Sequence, residues 1–153
     1  MPSNANSAIP TQLLESPCFQ LDRLRRRTRD AVEQALSAKQ TTLREYWVLT
    51  CLVDSTASCQ SDLSAILAID ASDMVRLIDS LETRGWAKRE RDPKDRRRQI
   101  VASTKKGTKA QKDLAALVSE AEESALNDST SKQMKHLRKL ATAILAERDT
   151  ADA

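Results

Sequence analysis

The stretch Glu90-Arg91-Asp92-Pro93-Lys94-Asp95-Arg96-Arg97-Arg98-Gln99-Ile100 sets five basic and three acidic side chains around one proline. Clustered guanidinium and ammonium groups are the chemistry that engages phosphates, so a polyanion is the first candidate ligand. Residues 84–109 carry 11 basic and three acidic side chains, net +8, whereas residues 1–83 are net −3 and residues 110–153 are net −2. In a chain of net charge +3 the cations are thus concentrated in one short segment, and phosphate binding depends on such clustering. On charge alone, a solvated loop is the alternative.

Other reactive groups are few. Cys18, Cys51 and Cys59 are an odd number in a chain whose N-terminus, Met-Pro-Ser-Asn-Ala-Asn-Ser, has neither a basic nor an apolar leader region, so thiols are expected rather than disulfides. Cys59 precedes a helical segment and would meet the positive end of its dipole, which makes it more reactive in principle than a core cysteine such as Cys51. His136 is the sole histidine. Without a second histidine, a CxxC pair or a Ser/His/Asp or Cys/His set, neither an enzyme nor a metal or cofactor site is expected, and His136 reads as a surface residue of the last helix.

The elements that must position the basic run are mostly helical. Only two glycines, Gly85 and Gly107, occur in a chain rich in Ala, Leu, Lys, Arg, Glu and Gln. A length of 153 residues suits one domain, and no stretch approaches the roughly 20 apolar residues of a membrane span, so a cytoplasmic protein without membrane contact is expected. Residues 1–12 read as a flexible N-terminus. Apolar spacing predicts one helix from Leu13 to about Ala38, and Thr41 or Thr42 can cap a second, with Glu45 completing a capping box. A short helix over Gln60–Leu67, a tight Ala68-Ile69-Asp70 connection and a helix over Ala71–Arg84 form a helix-turn-helix. On that last helix Met74, Val75, Leu77, Ile78 and Leu81 fall on one face, and Ser72, Asp73, Arg76, Asp79, Ser80 and Thr83 on the other. Gly85 suits a left-handed helix stop, and short strands around Ala87 and over Gln99–Ser103 make the basic run a hairpin tip, with Asp92-Pro93-Lys94-Asp95 as its turn. Thr104 can cap a helix from Lys105 to about Leu126, and another amphipathic helix follows the Asn127-Asp128-Ser129 break.

With these elements in place, the chain from Leu43 to Gly107 resembles the MarR family of winged helix-turn-helix transcription regulators. The Leu-Glu-x-x-Gly of residues 81–85 and the Asp-Arg-Arg of residues 95–97 stand at the family's spacing. The resemblance implies a mainly α fold with a small β-hairpin wing, in which N- and C-terminal helices form a dimerisation region. The corresponding division is a first dimerisation helix at 13–40, a DNA-binding lobe at 41–107 and C-terminal dimerisation helices at 108–150. It implies a homodimeric regulator, usually a repressor, on a pseudo-palindromic operator in double-stranded DNA. Ser72, Asp73, Arg76 and Ser80 would face the major groove. In the wing, Asp95 would orient Arg97 toward the minor groove while Arg96 and Arg98 contact phosphates. The alternative is a dimeric interaction module that binds nucleic acid or protein non-specifically.

Three positions depart from the family. Asp73 stands where many relatives have a small hydroxyl residue, and near the helix start it is expected to cap; its other reading is acceptance from a cytosine amine. Ser103 replaces a leucine at the end of the second wing strand, and Cys59 replaces a threonine cap. For control of DNA binding the resemblance implies either a small-molecule effector or thiol oxidation. Tyr46, Trp47 and the arginines from Arg23 to Arg27 are the candidate pocket residues, with core packing preferred for Trp47. Cys18 and Cys59 are the candidate redox sensors; Cys18 matches the position of the sensing cysteine in the organic-hydroperoxide branch, where Tyr46 matches one of two tyrosines and Leu43 replaces the other.

Overall fold

Pro17 lacks a backbone N–H and holds Ser16 in extended backbone (φ −81°, ψ 117°), so the first helical segment breaks there. The computed structural model, which describes residues 9–54 and 59–149, shows α1 at Thr11–Leu14 and α2 at Pro17–Ser37. The single helix predicted from Leu13 is therefore two. Of the segment expected to be flexible, residues 1–8 lie outside the described residues, and Thr11 and Gln12 belong to α1.

The next helix, α3 (Leu43–Asp54), starts with the predicted capping box. The Thr42 N–H donates to Glu45 Oε2 at 2.9 Å, and the Glu45 N–H donates to Thr42 Oγ1 at 3.2 Å. Thr41, the other candidate cap, is buried instead. After α4 (Gln60–Leu67), Ala68 enters the left-handed region at φ 51°, which turns the chain tightly into α5 (Ala71–Thr83). Gly85, at φ 70°, then lets the Trp86 N–H donate to Leu81 O and its own N–H to Glu82 O, both at 2.9 Å, which closes the last turn of α5.

Strands β1 (Ala87–Arg91) and β2 (Gln99–Ser103) pair antiparallel, Ala87 opposite Ser103 and Arg91 opposite Gln99. The Thr104 hydroxyl accepts from the Gly107 N–H at 3.0 Å and caps α6 (Lys105–Ala125); α7 (Ser131–Asp149) follows.

The core lies where α2, α3, α4, α5, α6 and the wing meet. Leu36, Leu49, Leu63, Met74, Ile78, Leu81 and Leu114 are fully buried, each worth about 1.5–3 kcal/mol of apolar burial. Val75, placed by periodicity on the inner face of α5, is 38 % exposed at the edge of that face. The stripe of α6 is used up by this core, with Leu114, Val118 and Ala121 buried in it. That of α7 is not: none of its described side chains is buried, and Leu140 and Leu145 are 60 % and 68 % exposed. Leu21 on α2 is similarly uncovered at 61 %. Among the described residues no helix is long and apolar enough to cross a membrane.

Gly107 sits against the wing entry so closely that a Cβ there would lie 2.0 Å from the Trp86 carbonyl oxygen. Gly107→Ala should therefore force α6 away from Trp86 and cost about 1–3 kcal/mol in urea unfolding. An unchanged midpoint would show that the contact is not tight.

Candidate nucleic-acid interface

Helix α5 is anchored at both ends, which leaves its middle free to present side chains. At the N-terminus Asp70 accepts the Asp73 backbone N–H at 3.0 Å and the Ser72 hydroxyl at 2.6 Å. These two bonds, that from Ser72 first, hold the Asp70 carboxyl below its ordinary value of 3.8. At the C-terminus Arg84 donates to Thr41 Oγ1 at 2.9 Å and to the Gln40 carbonyl, and stacks over the Trp86 ring at 4.7 Å. The α2–α3 turn is thereby tied to the end of α5.

Between these anchors the predicted polar face divides. The Arg76 side chain is 82 % exposed and projects from the middle of the helix. Ser72 is exposed, although its hydroxyl proton is committed to Asp70. Ser80 does not share that face: its hydroxyl donates at 2.5 Å to Glu45 Oε1, a carboxylate buried under α3, so it fastens α5 to α3. Nor does the Asp73 side chain cap the helix. Asp70 fills that role, and the Asp73 carboxylate pairs with Arg44 of α3 at 3.3 Å and lies 3.9 Å from Arg76.

In the wing tip the acids shape the turn. The Lys94 N–H donates to Asp92 Oδ1 at 2.8 Å and the Arg97 N–H to Asp95 Oδ1 at 3.0 Å. Both are bonds from a carboxylate to the backbone two residues on, as turn-forming aspartates make. Asp95 thus sets the backbone of Arg97, and the side chains of Arg96 and Arg97 stand exposed beside Arg91 around a shallow basic hollow. Arg98 lines the same hollow while its guanidinium reaches back to Cys59 Sγ at 3.1 Å and Asp62 at 3.6 Å, joining the wing to α4. Cys59 is accordingly buried, with the Arg98 guanidinium against its sulfur.

Arg89 on β1 connects the two presenting elements. It donates to Asp79 and Glu82 of α5, each at 2.6 Å, and its side chain is only 19 % exposed. Burial works against its charge, but the two carboxylates outweigh that and raise its pKa. The strand alternation that puts Arg89 on the same side as buried Ala87 could have revealed this inward role from sequence, as could the carboxylates three residues apart on α5.

An anchored helix with a projecting arginine, joined rigidly to a hairpin with two more, has counterparts among known proteins. The MarR family model matches residues 41–98. CouR from Rhodococcus jostii RHA1, solved bound to p-coumaroyl-CoA, is 30 % identical, covers 86 % of this chain and 93 % of its own, and superposes with a TM-score of 0.73. The chain belongs to the MarR family. A MarR-family transcriptional regulator from Rhodococcus sp. RHA1 is 27 % identical over 90 % of this chain and 95 % of its own, with a TM-score of 0.77. A mutant E. coli MarR complexed with operator DNA is 20 % identical over 90 % of this chain and 99 % of its own, with a TM-score of 0.71, and shares the fold. No curated protein sequence matches significantly. The winged helix-turn-helix expected from the sequence is the fold of this MarR-family chain.

The predicted effector residues are dispersed in this member of the family. A cleft between α2, α3 and α6 is lined by Arg25, Thr28, Arg29, Val32, Leu43, Trp47 and Glu122. Trp47, for which core packing was preferred, is 38 % exposed and lines it. Tyr46 instead packs half-buried against the core, Arg23 stacks on Phe19 at 5.2 Å, and Arg27 pairs with Asp128 at 3.3 Å. The arginines of the cleft are Arg25 and Arg29, one turn apart on α2, and burial raises the pKa of Glu122 while Arg138 partly offsets the shift. Cys18 is exposed in the first turn of α2, and His136 is exposed on α7.

Because the folded-state pKa of Asp70 is depressed, its cap contributes stability above 3.8, and that contribution is lost as pH falls through the folded value. Asp70→Ala should be less stable than wild type at pH 7, with the two unfolding curves converging below about pH 4. A gap that stayed constant down to pH 2 would show that the charge of Asp70 does not matter.

Proposed function

We propose that the protein is a homodimeric, sequence-specific DNA-binding transcription regulator that acts as a repressor on a pseudo-palindromic site in double-stranded DNA. In this reading α5 enters the major groove with Arg76, and the wing reaches the adjacent minor groove with Arg97 while Arg96 meets phosphate. The observation that carries it is the Arg89 bridge, which holds the helix and the hairpin as one unit with their free arginines outward. The E. coli relative complexed with operator DNA supports the same use of the fold.

Residues 13–40 and 108–150 would form the dimerisation region. The support is the uncovered apolar surface of Leu21, Leu140, Ile144 and Leu145, which a second copy would bury. Leu140→Glu combined with Ile144→Glu should convert a dimer to monomer in sedimentation velocity. A wild type that sediments as a monomer would end this assignment.

For the effector, a half-exposed indole with two guanidinium groups suits an anionic aromatic compound. CouR, bound to the aromatic acyl thioester p-coumaroyl-CoA, supports that class. Oxidation of exposed Cys18 is the second route to release, and burial under Arg98 makes Cys59 the less accessible thiol.

Arg97→Ala should weaken binding to a promoter fragment at fixed salt, reduce the log–log salt slope by about one, and leave the melting temperature unchanged. Unchanged affinity would sink the wing assignment. Binding lost equally to any unrelated competitor would favour the non-specific interaction module.

A further inference from the structure

A carboxylate among groups that approach phosphates is repelled by them unless a cation offsets it and a donor awaits it. Asp73 meets the first condition by a cation from outside its own helix. Arg44, at the start of α3, holds Oδ2 at 3.3 Å, while Oδ1 faces Arg76 at 3.9 Å, beyond hydrogen-bond distance. The N-terminal N–H groups of α5 do not need Asp73, because Asp70 already caps the helix. The Asp73 side chain is 39 % exposed and lies one turn before Arg76, whose side chain is 82 % exposed.

The pair therefore presents a donor fork and, next to it, an acceptor. This is the complement of the major-groove edge of a G·C pair, in which guanine offers the O6 and N7 acceptors and cytosine offers the N4 amine. We propose that Asp73 and Arg76 together read one G·C pair in each half-site, Asp73 accepting from cytosine and Arg76 donating to guanine, with Arg44 as the positioning residue. Guanine or thymine facing Asp73 would oppose its carboxylate with an acceptor. Adenine would offer its amine beside the N7 acceptor, so the carboxylate also rejects the alternatives. The charge departure at position 73 becomes a specificity element. This inference rests on the reading of α5 as the recognition helix.

The test is selection of binding sites from a random duplex library by the full-length chain, comparing wild type with Asp73→Ala, Asp73→Asn and Arg44→Met. Wild type should enrich a palindromic motif with cytosine at one position of each half-site. Asp73→Ala should keep the rest of the motif but lose about fivefold or more of that preference, and Asp73→Asn should shift it toward adenine, the base an amide reads. Arg44→Met should blur the same position alone, an effect that a purely structural link between α3 and α5 would not produce. A motif identical to that of wild type in both Asp73 variants would overturn the proposal and leave the recognition helix standing. Enrichment of no motif by wild type would overturn both.

Discussion

The guanidinium of Arg89, caught between Asp79 and Glu82 under the edge of α5, is the interaction on which the presenting surface depends. A two-stranded hairpin is at best marginally stable alone, so the angle at which the wing leaves the domain must be set by something outside it. Arg89 supplies that restraint from the middle of β1. Thr104 supplies it from the other end, its hydroxyl donating to Gly85 O at 2.5 Å while its backbone N–H donates to Trp86 O at 3.0 Å. Arg98, in the tip loop just before β2, joins the far end of the wing to α4, so the hairpin is tied to helices at more than one point. The consequence for recognition is preorganisation: side chains that read DNA from fixed elements lose less freedom on binding.

The acids near this basic surface follow a common physical logic. Each accepts from a donor of the protein itself, so each carboxylate is held in a fixed place rather than left loose on the surface. Asp70 takes N-terminal donors of α5, Asp92 and Asp95 take backbone N–H groups in the wing turn, Asp79 and Glu82 take Arg89, and Asp73 takes Arg44. Of the 11 cations in residues 84–109, Arg91, Arg96, Arg97 and Arg98 gather around the hollow at the wing tip, where counterion release would favour a polyanion.

What was legible in the sequence followed from local rules. The Thr42–Glu45 box, the Asp70 cap, the Gly85 stop, the wing strands and the Thr104 cap each depend on neighbours a few residues apart, and each appears where its chemistry put it. The break before Pro17 was equally local but was outweighed by apolar spacing that continues across it. Contacts distant in the chain were not legible. Periodicity placed Ser80 on the polar face, and only the packing of α3 against α5 shows that Glu45 takes its hydroxyl. The same packing gives Asp73 its Arg44 partner, and the fold of the wing onto α4 buries Cys59 under Arg98. Of the cleft residues, Arg25 lay within the arginine run read as a candidate lining, whereas Arg29 and Glu122 were missed, Glu122 because α2 and α6 meet only in three dimensions.

The uncovered stripe of α7 and the outward arginines of α5 and the wing lead to one geometric expectation, that two copies present two readers across a two-fold axis. Hydroxyl-radical footprinting on a genomic fragment that the protein retains in excess unrelated DNA tests this most directly. The account predicts two symmetric protected half-sites about one helical turn apart, each with minor-groove protection where the wing lies. A single protected half-site, or uniform protection with no preferred position, would contradict it.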